Sequence, residues 1–161
     1  MSTTLTQEKP TMIDSQALQL VLGAAQINHS ISLYLSTTLK NKGYTFATPA
    51  ALNFLSTLEC GVNYGSEIAR NLGVSRQMVA KTVKGLCSAG YLEQQDDVGR
   101  QKKIIFTATG EQLMSDARTL LADIDTALTT QLSKTSIATT ITNLNKIQRL
   151  MVQLNDVEID C

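Results

Sequence analysis

Apolar residues along the chain recur at three- and four-residue spacings, broken once by a short, more extended stretch. That pattern predicts six helices and a small sheet. From Met12 to about Lys40, Ile13, Ala17, Leu20, Val21, Ala24, Ala25, Ile27, Ile31, Leu35 and Leu39 form a stripe wider than one intramolecular neighbour needs. A helix packed on its own domain and on a partner subunit is the expectation. The segment Asn41 to Phe46 connects, with Gly43 as the helix stop. Thr48 then reads as an N-cap and Pro49 as the first helical position. The helix from Pro49 to about Glu59 buries Leu52, Leu55 and Leu58, Cys60-Gly61 ends it, and Val62 to Tyr64 can add a short strand to a sheet.

Two short helical patterns follow. Ile68, Ala69 and Leu72 make a narrow stripe on the first, and Gly73 can take the positive φ that ends a helix. Ser75 can cap the second through its side-chain oxygen. There Val79, Val83 and Leu86 face inward and leave Arg76, Gln77, Lys81 and Lys84 pointing out. Tyr91 and Leu92 begin one strand, Lys102 to Phe106 form another, and Gln95 to Gly99 is the loop between them, with Gly99 making the tight turn. Thr107 or Thr109 can cap the next helix, with Glu111 complementing the dipole of its first turn. It carries Leu113, Met114, Ala117, Leu120, Leu121, Ile124 and Leu128 to about Leu132. Ser133 caps a last helix bearing Ile137, Ile141, Leu144, Ile147, Leu150, Met151 and Leu154. The order helix, turn, helix, strand, loop, strand is a helix-turn-helix with a β-wing. The fold class is mainly α with that small wing, flanked by long terminal helices.

Composition changes this picture little. Two prolines and nine glycines in 161 residues suit a helical chain with short connections. No run of eighteen apolar residues occurs, and the N-terminus lacks the basic-then-apolar order of a secretion signal, so a cytoplasmic protein without a membrane partner is expected. Charge changes it more. The formal net charge is zero, yet residues 70 to 105 hold Arg70, Arg76, Lys81, Lys84, Arg100, Lys102 and Lys103 against Glu93, Asp96 and Asp97, a local excess of +4. Screening limits electrostatic reach to about 8–10 Å, so the local sign governs what this surface attracts. A helix with a buried apolar edge and a cationic outer edge suits a DNA major groove. Arg76 and Gln77 are then candidates for base edges, Ser75 and Thr82 for phosphate, and Lys81 for either. Lys84 adds to the cationic edge. Lys102 and Lys103 alternate along a strand, so one of them faces phosphate.

The remaining chemistry is sparse. Cys60, Cys87 and Cys161 have no metal-ligand spacing, and an odd count without a secretion signal gives no disulfide framework. Cys87 and Cys60 are candidates for oxidation at helix ends, against the plainer reading of small hydrophobes. The single histidine, His29, cannot build a metal site alone. Neither a catalytic constellation nor a cofactor motif is present, so no enzymatic activity and no cofactor are expected.

In SEIARNLGVS, VAKTVKGLCSAGYLE and the pattern R-x-x-x-I-x-F-T-x-x-G from Arg100 to Gly110, the chain resembles the MarR family of winged helix-turn-helix regulators. The pieces stand in the family's order and spacing, and the flanking helices extend the likeness over most of the chain. Two places depart: Val98 and Gly99 stand where the family has Asp followed by Arg or Lys, and Met78 and Ala80 where Ser or Thr is common. The resemblance implies a homodimer, with residues 1–47 and 108–161 as the helical dimerisation region and 48–107 as the DNA-binding domain. It implies that Arg100 is the wing arginine that enters a minor groove, as narrow grooves' negative potential favours. It implies a small-molecule effector near the junction of dimer helices and DNA-binding lobe, where His29 is a candidate lining residue. Function would be repression from a pseudo-palindromic promoter site, relieved by a ligand or by cysteine oxidation. The alternative is a helical protein-interaction module of the same fold that no longer binds DNA, favoured by Val98 and the neutral total charge.

Overall fold

The computed structural model describes residues 14–99 and 101–159, with side chains to residue 155. It divides into two compact units, one ending at Met114 and the other starting at Ser115. The first holds α1 (Gln16–Asn41), α2 (Pro49–Glu59), α3 (Gly65–Leu72), α4 (Arg76–Ser88), β1 (Leu92–Asp96), β2 (Lys102–Phe106) and the first turns of α5 (Ala108–Leu132). The second holds the rest of α5 and α6 (Lys134–Ile159). Arg100, Met12, Ile13 and Cys161 lie outside the described residues.

Caps fix the helix starts. Ser15 Oγ accepts the Leu18 amide at 3.3 Å, so α1 begins at Gln16 rather than at Met12. Thr48 Oγ1 accepts from Ala51 at 3.1 Å ahead of Pro49, as expected. At α5 the choice between two threonines falls to Thr107, whose Oγ1 accepts the Gly110 amide at 3.1 Å; Thr109 lies within the helix. Ser133 sits in the left-handed region at φ 66°, and its Oγ accepts from Ser136 at 3.3 Å to start α6.

The core of the first unit takes one fully buried side chain from each of six elements: Leu39, Leu55, Ile68, Leu86, Ile104 and Leu113. The five on helices lie on the apolar stripes that periodicity assigned; Ile104 is the strand's contribution. The ends of α1 and α5 nearest the helix-turn-helix therefore belong to its core. Further out on α1 the apolar stripe is uncovered, with Val21 62% and Ile27 63% exposed. In the second unit Leu132, Ile141, Leu144, Leu150 and Leu154 are exposed as well. Among the described residues no helix is long and apolar enough to cross a membrane.

Strands β1 and β2 pair antiparallel, Leu92 opposite Phe106 and Asp96 opposite Lys102. The loop is therefore shifted from its expected place: Gln95 and Asp96 are paired strand residues, and the strands are joined over residues 97–101. Alternation of the cross-strand hydrogen bonds carries on for as long as both strands stay extended, which sequence composition alone does not limit. The third strand expected at Val62 to Tyr64 shrinks to a single bridge, Tyr64 to Lys103. Asn63 secures it at both ends, its carbonyl accepting the Ile104 amide at 2.9 Å and its Nδ2 donating to the Ile104 carbonyl at 3.1 Å.

Candidate nucleic-acid interface

The interface is built outward from the α3–α4 turn. Gly73 closes α3 at φ 63°, a conformation that costs side-chain-bearing residues, and the Val74 amide bonds back to the Ala69 carbonyl at 3.0 Å. Ser75 then caps α4, its Oγ accepting from Met78 at 3.1 Å. Val79, Val83 and Leu86 are buried, which fixes the rotation of α4 about its axis. At 3.6 residues per turn, Gln77, Lys81 and Lys84 fall opposite that stripe, and all three are exposed. Arg76 is exposed on the flank toward the wing, where it and Lys102 rim a groove of about 270 Å³ floored by Val79, Val83 and Ile104. On the other flank Met78 and Thr82 border α2 and α3.

The structure thus gathers Ser75, Arg76, Gln77, Lys81, Lys84 and Lys102 on or beside one exposed helix. Thr82 is different. Its hydroxyl donates to the Met78 carbonyl at 3.0 Å, so the proton needed by a phosphate oxygen is already engaged in its own helix. Met78, 57% exposed, is an apolar side chain on the first turn of α4 that sequence reasoning passed over; its signal was the departure from Ser or Thr at that place.

At the wing, the Tyr64 hydroxyl donates to the Asp97 carboxylate, and the Val98 amide donates to the other oxygen, Oδ1, at 2.7 Å. The Tyr64 bond, then the Val98 amide, hold the Asp97 carboxyl below the usual carboxylate range, with Lys103 helping and burial opposing. The same bond, then burial, raises the Tyr64 phenol, and the charges of Asp97 and Glu67 act in that direction too. A lowered carboxyl stabilises above its unfolded value and gives that up only as pH falls through the folded one. The raised phenol keeps its proton until pH passes above the usual phenol range. The contact should therefore persist through neutral pH and break on acidification below the usual carboxylate range. Following the Val98 amide by NMR across an acid titration tests this; a midpoint at or above an ordinary aspartate's would contradict it.

Cys87 is half-buried, and burial, then the charge of Glu93, pushes its thiol up, which leaves little thiolate for oxidation. Cys60 is exposed at the end of α2. His29 is exposed on α1 and does not line the nearby cleft. That cleft, about 370 Å³ between α1 and α2, is walled instead by Asn28, Ser32, Leu35, Pro49, Asn53 and Ser56.

The sequence matches no protein-family model and no curated protein. Solved structures do match. A MarR transcriptional regulator from Methanosarcina mazei Go1 superposes at a TM-score of 0.68, with 14% identity, over 84% of this chain and 92% of that one. The fold is the MarR winged helix. An organohalide-sensing regulator in its 2,4-dichlorophenol-bound form shares the MarR fold at a TM-score of 0.68 and 14% identity, over 95% of this chain and 92% of that one. A MepR–DNA complex from S. aureus shares it at 0.64 and 18% identity, over 79% and 93%. At these identities the likeness is one of backbone architecture. What stands on α4 and the wing here is set by this chain's own residues.

Proposed function

We propose that the protein is a cytoplasmic, non-enzymatic DNA-binding transcription regulator acting as a homodimer. The observation that carries this reading is α4: capped by Ser75, rotated by its buried valines so that Gln77, Lys81 and Lys84 face outward, and flanked by Arg76 and the wing's Lys102. Such a helix enters a major groove, and its basic side chains neutralise phosphates. The DNA-bound neighbour of the same fold supports it. The uncovered apolar stripes of α1 and α6 support a second copy as the partner that buries them, since long exposed apolar faces favour association. In this reading residues 1–47 and 108–161 make the dimer and 48–107 contact DNA. Two-fold symmetry then sets half-sites about 10 base pairs apart. Binding over a promoter would repress. The α1–α2 cleft, within the size range of small-molecule sites, is the place for an effector, with Asn28, Ser32, Asn53 and Ser56 as its polar groups. A phenol-bound neighbour of the same fold supports a small ligand as the releasing signal; the raised Cys87 thiol weighs against oxidation there.

Fluorescence anisotropy on a fragment from upstream of the protein's own gene tests the reading. Six to ten phosphate contacts per dimer should cost about a thousandfold or more in affinity between about 50 and 200 mM salt. Binding that is absent at low salt without added ligand would instead favour the interaction module.

A further inference from the structure

The wing turn is tied to the start of the helix-turn-helix by a contact between residues 33 apart in sequence. Tyr64 is the last residue before α3, and its backbone already bridges Lys103 of β2. Its side chain reaches further along the wing, to Asp97 at the turn. Two-stranded ribbons hold themselves together weakly in water, and their tips fray first. Apolar packing at Leu92 and Ile104 secures the base of this ribbon but not its tip, where Val98 is 96% exposed. Within the turn the backbone contributes the Asp97 amide to the Gln101 carbonyl at 3.3 Å, a long bond. Asp97 therefore stands at a junction: one carboxylate oxygen orders the Val98 amide, and the carboxylate also takes the phenol of a residue fixed at the helix-turn-helix.

We propose that Tyr64 is a positioning residue for DNA binding, its hydroxyl holding the Asp97–Gly99 turn so that the wing meets DNA in step with α4. This rests on the DNA-binding reading above. By sequence, Arg100 follows the turn directly. An ordered turn lets the residues after it bind without first losing conformational freedom, and that saving appears as affinity.

The test uses the full-length protein and Tyr64→Phe, which keeps the ring and removes the hydroxyl. In the free protein, amide hydrogen exchange at Val98 should speed up while the melting temperature stays within a degree or two, because the contact is at the surface. Affinity for the upstream fragment should fall about three- to tenfold. In a double-mutant cycle with Arg100→Ala, the two losses should overlap, because both act through the wing; a general structural defect would give additive losses. Asp97→Asn, which can still accept the hydroxyl, should show a smaller loss than Tyr64→Phe. Unchanged Val98 exchange, or full additivity with Arg100→Ala, overturns the proposal. If the wild type shows no salt-sensitive binding, the DNA-binding reading falls and the role falls with it. The exchange result alone then reports whether the tie exists, which separates the two failures.

Discussion

Replacing Gly110 with alanine should lower stability by about 3 kcal/mol or more, a drop in melting temperature of roughly 6–12 °C for a chain of this length. The reason lies in how α5 starts. The Thr107 amide donates to the Tyr91 carbonyl at 3.1 Å, and the Thr107 hydroxyl both donates to the Gly90 carbonyl at 2.5 Å and accepts from Gly110. These bonds press the first turn of α5 onto the chain between α4 and β1. A Cβ at Gly110 would stand 2.0 Å from the Tyr91 oxygen, 3.0 Å from its carbonyl carbon and 3.1 Å from Phe106 Cδ1. Two of those neighbours are backbone and cannot swing aside. Relief would require lifting α5, which also carries the fully buried Leu113 into the core. Gly85→Ala supplies the contrast. It sits inside α4 with Phe46 Cε1 at 3.9 Å, an ordinary contact, so helix propensity should make that change stabilising by about 0.5–1 kcal/mol. Thermal melts of the two variants decide it; equal and small shifts would contradict the packing account.

Arg76→Ala should weaken binding to a specific site by about 1–3 kcal/mol, or roughly five- to 150-fold. Arg76 is the first residue of α4 and is exposed on the wing side, where helix N-termini come closest to base edges. A guanidinium there can make two hydrogen bonds to guanine, and alanine can make none. The loss should be large on the cognate fragment and small on unrelated DNA. Lys84→Ala, two turns later and opposite the buried stripe, should behave differently. A phosphate contact carries no base information, so its loss should weaken both DNAs alike and reduce the salt slope by about one for each contact removed. Parallel titrations at several salt concentrations separate the two behaviours. An Arg76→Ala protein that binds the cognate fragment like the wild type would remove Arg76 from the base-reading set.

What the sequence reading captured and what it did not follow the range of the forces involved. Helix periodicity, the caps at Thr48, Ser75 and Ser133, and the stop at Gly73 are encoded within four residues of where they act. They were legible, and with them the helix-turn-helix and the outward set Arg76, Gln77, Lys81 and Lys84. One feature at short range differs from its expected place. Polar residues from Gln95 onward suggest a turn, but edge-strand residues facing solvent are polar too, and Gln95 and Asp96 pair with β2. The hydroxyl of Thr82, a candidate for phosphate, also bonds its own i−4 carbonyl, as threonine in a helix readily does.

By itself, then, the sequence determined the order of elements, the winged helix-turn-helix and which edge of α4 is cationic, because those follow from local spacing and side-chain type. Only the tertiary structure decided the contacts between residues distant along the chain. It joined Tyr64 to Asp97, set Gly110 against the Tyr91 backbone, and walled a polar cleft with Asn28 and Ser32 from one helix and Asn53 and Ser56 from another. None of these pairs shares a sequence window. Each exists because the buried leucines and isoleucines of six elements converge on one core and carry their polar neighbours into place with them.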